Sequence, residues 1–325
     1  MSAEYIESLI RQKFKSFSTS KGKNGLEYVV ACMFCGKKGK LYLNPQRGMF
    51  ICYRCGEQGS MERILGKIAR GQTASTAVEP PKPLPTNVAS PGDLEELTQL
   101  PDNHPARLYL RHRRFSAEEL NDVFGVRYCQ AGNRFAGGIF NTTNTLVFPL
   151  WFDGAIIGWQ ARLLYTPDEL TPAQCEALGF PKDEEGDYIK PPKYWTSPGL
   201  QKGRVLFNYD WARRSELAVV CEGPFDAAAV GRCAVATLGK GIATGQRNLL
   251  KSYWKAVIIL LDPGDADEEM YSLRLNMMGT VESVVSVDLK GYKDAGETPR
   301  GEIWRQIGES ATQQGVDILK YRFLV

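Results

Sequence analysis

Residues 217–226 read LAVVCEGPFD and residues 256–262 read AVIILLD. Each holds a short run of apolar residues that closes on a carboxylate, Glu222 in the first and Asp262 in the second. Runs this short and this uniformly apolar suit strands of a parallel sheet covered on both faces. AVATL (234–238) and VESVVSV (281–287) repeat the pattern, and helical stretches near 225–233, 244–255 and 266–278 separate the runs. The alternation predicts an α/β region over 216–325.

Ligands of such sheets bind beyond the carboxyl ends of the strands. Acidic residues stand there: Glu222, Asp262, then Asp265 and Asp267 in the following turn, and Asp294 seven residues past VESVVSV. Carboxylates gathered at one edge repel each other unless a cation neutralises them, and an all-oxygen donor set suits magnesium or manganese. Ions held this way serve phosphoryl transfer. An aspartate after a strand is also an ordinary turn former or helix cap, so each residue taken singly has a structural alternative.

Upstream, LVFPLWF and AIIGWQARLL flank Asp153-Gly154, a two-residue hairpin signal. Residues 93–124 read as mostly helical and carry a basic cluster, Arg107, Arg111, Arg113 and Arg114. Before them, 71–92 contains Pro80, Pro81, Pro83, Pro85 and Pro91 among small polar residues, the composition of an extended linker. The expected organisation is a small domain (1–70), a flexible linker (71–92) and a core (93–325) with subdomains 93–215 and 216–325. The overall class is α+β.

The small domain holds two C-x-x-C pairs, Cys32/Cys35 and Cys52/Cys55, with glycine after each second cysteine. Four thiolates at this spacing satisfy tetrahedral zinc, and KLYLN and GMFI between the pairs read as the two strands of a zinc ribbon. A disulfide pair or a thioredoxin-like motif is the competing reading, and neither accounts for two pairs at ribbon spacing. The first 26 residues read as a helix (Ile6, Leu9, Ile10, Phe14) followed by loop, and MERILGKIAR (61–70) as a short helix. Lys37, Lys38, Lys40, Arg47 and Arg54 interleave with Phe34, Tyr42, Phe50 and Tyr53, a mixture that suits single-stranded nucleic acid.

Charge supports that partition. The chain's net +3 divides into +8 over residues 1–72 and −5 over the rest, so a polyanion is expected at the N-terminal end. Cys129, Cys175, Cys221 and Cys233 are scattered and read as buried thiols. With only His104 and His112, both in the basic segment, a histidine-dependent hydrolase is not expected. No apolar run long enough to cross a membrane and no secretory leader is evident, so no membrane partner and a cytoplasmic location are expected.

Glu222-Gly223-Pro224-Phe225-Asp226 resembles the E-G-x-x-D motif of the TOPRIM domain, and AVIILLD its strand-then-aspartate motif. Together with the four-cysteine pattern this resembles the DnaG-type primases, particularly those of bacteriophages, through nearly the whole chain. HPARLYLRHRRF is similar to the helical stretch before the family's catalytic core. LVFPLWFDGAIIGWQARLL is similar to its hairpin, and PPKYWTSPGLQKGRVLFN to its K-Y-x-x-S-P…K-G-x-x-L-F pattern. ATLGKGIA is similar to the segment between the acidic motifs, and Lys293-Asp294-Ala295-Gly296-Glu297 to the last of them.

The resemblance implies a DNA primase that joins ribonucleoside triphosphates on a single-stranded DNA template. It implies one structural zinc on the cysteines, and magnesium or manganese on Glu222, Asp262, Asp265 or Asp267, and Asp294. Arg162, Lys193 and Lys202 are implied as cations facing triphosphate and template. No G-x-x-x-x-G-K-[ST] phosphate loop occurs, so a separate replicative helicase, with a single-strand-binding protein, is the implied partner. Two departures stand out. The third motif reads Asp262-Pro-Gly-Asp265-Ala-Asp267 where the family has D-x-D, and Gly296 stands where the family has a second aspartate. They keep two rivals open, a TOPRIM nuclease and a non-catalytic DNA-binding scaffold.

Overall fold

The computed structural model describes residues 3–22, 25–33, 38–54, 58–61, 64, 84, 87–239, 241–261, 273–274 and 277–325. They divide into two compact units. One is Met1–Pro83 with Gln201–Val205 and Lys240–Leu249; the other is Leu84–Leu200 with Leu206–Gly239 and Leu250–Val325.

In the first unit, α1 (Ala3–Lys13) precedes an antiparallel sheet of β1 (Ser18–Gly22), β2 (Gly25–Val30), β3 (Leu41–Asn44), β4 (Met49–Cys52) and β5 (Gln58–Ser60), paired in sequential order. The helical spacing of Ile6, Leu9 and Ile10 brings all three into one core with Tyr28, Val30, Leu41, Leu43 and Phe50. The Tyr28 hydroxyl accepts from Arg11 Nη2 (3.0 Å) and donates to Glu7 Oε2 (3.1 Å), which ties α1 to β2. The strands β3 and β4 fall where expected. The stretch before them is not loop: β1 and β2 form a hairpin in register from Ser18↔Val29 to Gly22↔Gly25. β1 is an edge strand of exposed polar residues, and an edge with both faces solvated carries no apolar period to read. Of the helix expected over 61–70, Met61 and Ile64 are described, both helical and buried; the rest lies outside the described residues.

The second unit begins with β6 (Gly92–Glu96), α2 (Pro105–His112), α3 (Ala117–Asp122), β7 (Arg127–Gly132), a two-stranded β8 (Arg134–Phe135) and β9 (Phe140–Asn141), and the long β10 (Thr145–Phe152) and β11 (Ala155–Leu163). After α4 (Pro172–Ala177) comes β12 (Tyr194–Thr196), which completes an antiparallel sheet of order β12-β11-β10-β7-β6. The Asp153-Gly154 hairpin is as expected. Asp153 has φ 51° and Gly154 φ 80°, the two positive values of a type I′ turn. Asp210 accepts from both turn amides, at 2.9 and 2.7 Å.

Residues 93–96, expected to open a helical stretch, belong instead to the edge strand β6. GDLEE has a single large apolar residue, Leu94, and that is exposed, so its conformation comes from pairing with β7 rather than from a period of its own. The end of the proline-rich stretch is also tied down: Trp159 Nε1 donates to the Ala89 carbonyl (2.7 Å), and the Asn133 amide to that of Pro91 (2.9 Å).

Beyond α5 (Tyr209–Ala212), β13 (Leu217–Cys221), α6 (Pro224–Val230), β14 (Ala234–Ala236), α7 (Thr244–Tyr253), β15 (Ala256–Ile259), β16 (Ser283–Ser286) and α8 (Arg300–Gln313) complete the chain. The four strands form an all-parallel sheet of order β14-β13-β15-β16. Every residue of β13 is fully buried, and Val257, Ile258 and Ile259 of β15 likewise. Each buried Val, Leu or Ile among them contributes about 1.5–3 kcal/mol, so these two strands anchor the sheet. β14 stops before the expected Leu238, whose φ of 67° is outside the strand region. The chain runs from β13 out to β14 and then crosses to β15, so direction reverses between β13 and β15. That is the topological switch point, where open α/β sheets place their ligands.

Candidate active site

Glu222 leaves the carboxyl end of β13 at this switch point and is half-buried. The register Val219↔Ile258 and Val220↔Ile259 brings the end of β15 beside it. The chain is described as far as Leu261, so Asp262, Asp265 and Asp267 lie outside the described residues.

Gly223 then caps α6, with Pro224 as its first residue and Asp226 at the third position. Asp226 works in two directions. Its Oδ2 accepts from the Gly223 amide (2.9 Å) and its Oδ1 from the Gly296 amide (2.9 Å), which fastens the start of α6 to the last acidic turn. This explains the missing second aspartate. A β-carbon on Gly296 would stand 3.0 Å from Asp226 Oδ1, 3.2 Å from Arg113 Nη2 and 3.4 Å from Asp294 Oδ1. The place is already filled by a carboxylate and a guanidinium.

Asp294 opens that turn, and its buried Oδ1 has no hydrogen-bond partner among the described residues. A carboxylate oxygen closed off from water in this way costs about 1–3 kcal/mol or more unless a donor or cation completes it. The orphaned oxygen and the all-oxygen donor set both fit a hard divalent ion. Among the described residues, no three Cys, His, Asp or Glu side chains gather into a metal site.

One cation, Arg113, lies beside Asp226 and Asp294, and others gather around it. Arg162, on β11, is only 4% exposed. Its Nε and Nη2 donate to the Tyr109 hydroxyl oxygen at 3.2 and 2.9 Å, and its guanidinium lies 4.7 Å from the centre of the Tyr194 ring. Arg113, just past α2, donates from Nη1 to the same Tyr109 oxygen (3.4 Å) and stacks 4.6 Å from the Phe225 ring centre. Burial alone would raise the Tyr109 pKa, but Arg162 and Arg113 together outweigh it and hold the phenol below the usual tyrosine range. Lys193 precedes Tyr194 in β12. Burial and then the charge of Arg162, with Arg113 and Lys293 adding to it, lower its ammonium pKa. Tyr194 is half-buried as a residue, yet its phenol is enclosed and burial drives that group well above the usual range. Among the described residues, none of Arg113, Arg162, Lys193 and Lys293 is paired with a carboxylate within 4 Å.

The basic cluster of α2 separates on folding. Arg107 is structural, paired with Asp102 and Glu118 at 3.1 Å each. Arg111 and Arg114 are exposed, and Arg113 alone turns to the acidic turn. His104 caps α2 through Nδ1, which accepts from the Ala106 amide at 3.1 Å. Lys202 belongs to the first unit, where it is exposed and its carbonyl accepts from Gln246 Nε2 at 2.9 Å.

In the first unit, Cys32 and Cys52 are buried, and the register Val30↔Leu41↔Cys52 sets them toward the same end of the sheet. Soft thiolate donors at that end suit zinc. Cys35 and Cys55 lie outside the described residues. Phe50 is core, whereas Tyr42 and Tyr53 pair edge-to-face at 4.8 Å with Tyr53 largely exposed, and Lys38, Lys40 and Arg47 are exposed as well.

No family model and no curated protein matches this sequence. Among solved structures, the DnaG catalytic core aligns at a TM-score of 0.50 and 20% identity, covering 66% of this chain and 76% of that one. The chain has the DnaG catalytic-core fold. A DnaG primase catalytic domain bound to single-stranded DNA aligns at 0.49 and 20% identity, over 68% of this chain and 74% of that one. A primase of Aquifex aeolicus comprising zinc-binding and RNA polymerase domains aligns at 0.41 and 20% identity, over 95% and 86%.

Within the DnaG fold, sequence reading missed Tyr109, Arg113, Tyr194 and Lys293 as members of the cationic group. One signal was present: Tyr109 and Arg113 stand four apart on a helix, on one face. The pairing Arg162↔Tyr194 was not legible, because it depends on the β11–β12 register.

Proposed function

We propose that this chain is a DNA primase, a template-directed nucleotidyltransferase that makes short RNA primers on single-stranded DNA. The observation that carries the reading is the gathering of Asp226 and Asp294 with Arg113, which leads on to Arg162 and Lys193, cations without a carboxylate partner among the described residues. Glu222 and Asp294 offer oxygen donors, while Arg162, Arg113 and Lys193 offer donors to an anion in a site walled by Tyr109, Tyr194 and Phe225. Acid and base left apart beside one another fit a substrate that brings both a divalent ion and phosphates.

The reaction joins two ribonucleotides: the 3′-hydroxyl of one attacks the α-phosphate of the next, and pyrophosphate leaves. Glu222 and Asp294, with Asp262 and Asp265 or Asp267, would hold magnesium or manganese, which when bound lowers the pKa of the attacking hydroxyl and offsets charge on the phosphates. Arg162 and Lys193 orient the triphosphate, and Lys202 adds a cation for template or nucleotide. In the first unit Cys32, Cys35, Cys52 and Cys55 would hold one zinc. Its exposed lysines, Tyr42 and Tyr53 suit contacts to template phosphates and unstacked bases. Residues 1–70 then act as the template-binding domain, 71–92 as the linker and 93–325 as the polymerase core. A replicative helicase and a single-strand-binding protein complete the proposed setting, a bacteriophage replication system in a host cytoplasm.

The test is primer synthesis on single-stranded DNA of varied sequence, with labelled ribonucleotides and magnesium or manganese, resolved on a gel. Short oligoribonucleotides from the wild type that vanish in Glu222→Ala, with template binding kept, are the expected result. Cleavage of DNA without nucleotides points to a nuclease instead. DNA binding indifferent to magnesium, with no product, points to a scaffold.

A further inference from the structure

The hydroxyl oxygen of Tyr109 accepts from two guanidiniums drawn from distant parts of the chain. Arg162 reaches it from β11 with two N–H groups and Arg113 from the end of α2 with one. Two guanidinium cations repel each other at such range, and a buried one needs its donors satisfied. Neither has a carboxylate partner among the described residues, so the phenol oxygen stands where a counter-ion ordinarily would. Each fork is also held flat by an aromatic face, Arg162 by Tyr194 and Arg113 by Phe225. A guanidinium has five N–H donors in a rigid plane. Fixing part of each fork on Tyr109 and its plane on a ring leaves the other donors in set directions.

We propose that Tyr109 is a positioning residue that gathers Arg162 and Arg113 into a single clamp for the phosphates of an incoming ribonucleotide. The proposal rests on the primase reading above and adds a residue that acts through the two arginines. The charged and titratable groups facing the phenol are Arg162 from β11, Arg113 just past α2, Lys193 just before β12 and Tyr194 in it; Asp226 of α6 in turn faces Tyr194, and Asp294 of the last acidic turn faces Arg113. A phenolate among them would neutralise the clamp, so anion affinity falls as alkali removes the Tyr109 proton. Lys193 also loses charge in alkali, and Lys193→Arg fixes that charge.

The experiment uses Tyr109→Phe in the full chain, which deletes one oxygen and keeps the ring. The probe is inorganic tripolyphosphate, titrated calorimetrically without nucleotide, beside steady-state kinetics of primer synthesis. The variant removes the shared acceptor of three charge-assisted hydrogen bonds, and the loss of even one such bond corresponds to roughly a tenfold change or more. The expected outcome is tripolyphosphate affinity at least about tenfold weaker and KM for ribonucleotide raised by a similar factor, with kcat nearly constant. Equal tripolyphosphate affinity in the two proteins overturns the role of Tyr109 and leaves the primase reading standing. A wild type that binds no tripolyphosphate overturns both. If Tyr109→Phe does not fold, the pH profile of Lys193→Arg decides. An affinity that falls below the ordinary tyrosine range supports the proposal, and one flat through that range overturns it.

Discussion

At Gly296 the absence of a side chain is what lets the site close. The amide of Gly296 donates to Asp226, and the same carboxylate, the Arg113 guanidinium and Asp294 crowd the position a β-carbon would take. Gly296→Asp would return the acid found in the resembling family, but here it meets a carboxylate already fixed by two amides. We expect that variant to lose about 1–3 kcal/mol of stability in urea denaturation. Wild-type stability would show that Asp226 can rotate away and that the two amides hold it weakly. The sequence displayed the glycine plainly as a departure. Its reason was not legible there, because Asp226 and Gly296 are 70 residues apart and only the fold brings them into contact.

Among the elements, the β10–β11 hairpin sets the position of Arg162, and its own register depends on the Asp153-Gly154 turn. Asp210 of α5 accepts both turn amides, and Arg213 pairs with Asp153 at 2.5 Å, so the turn is secured by a helix 57 residues away. Asp210→Ala leaves two turn amides to solvent and releases Arg213 from one partner. The expected loss is about 1–2 kcal/mol, read as a lower denaturation midpoint with an unchanged m-value. An unchanged midpoint would mean that the type I′ geometry alone fixes the register. This hairpin was readable because two apolar runs around Asp-Gly are a local signal. The strands β1 and β6 were not, since polar edge strands take their form from a partner strand and carry no period of their own.

At the scale of the whole molecule, each unit has its own apolar core. One is built on Ile10, Tyr28, Leu41 and Leu43, and the other includes Cys129, Phe140, Trp159 and Leu163. Chelation therefore tests the proposed division of labour. Stripping metal from the first unit should release about one zinc per chain and abolish binding to single-stranded DNA, while tripolyphosphate binding persists. Elemental analysis and fluorescence anisotropy read the two effects. DNA binding that survives complete removal of zinc would move the template contacts out of that unit.

By itself the sequence determined the α/β alternation, the acids at strand ends, the paired cysteines and the proline-rich boundary. Each of these is written in neighbouring residues, as a period, a spacing or a composition. The tertiary structure alone decided that Arg113, among four basic neighbours, turns to the acidic edge, and that Tyr109 joins it to Arg162. The Tyr109–Arg162 contact spans 53 residues and that of Arg113 with the acidic turn is longer still, so tertiary placement and register, rather than local pattern, select which side chains meet.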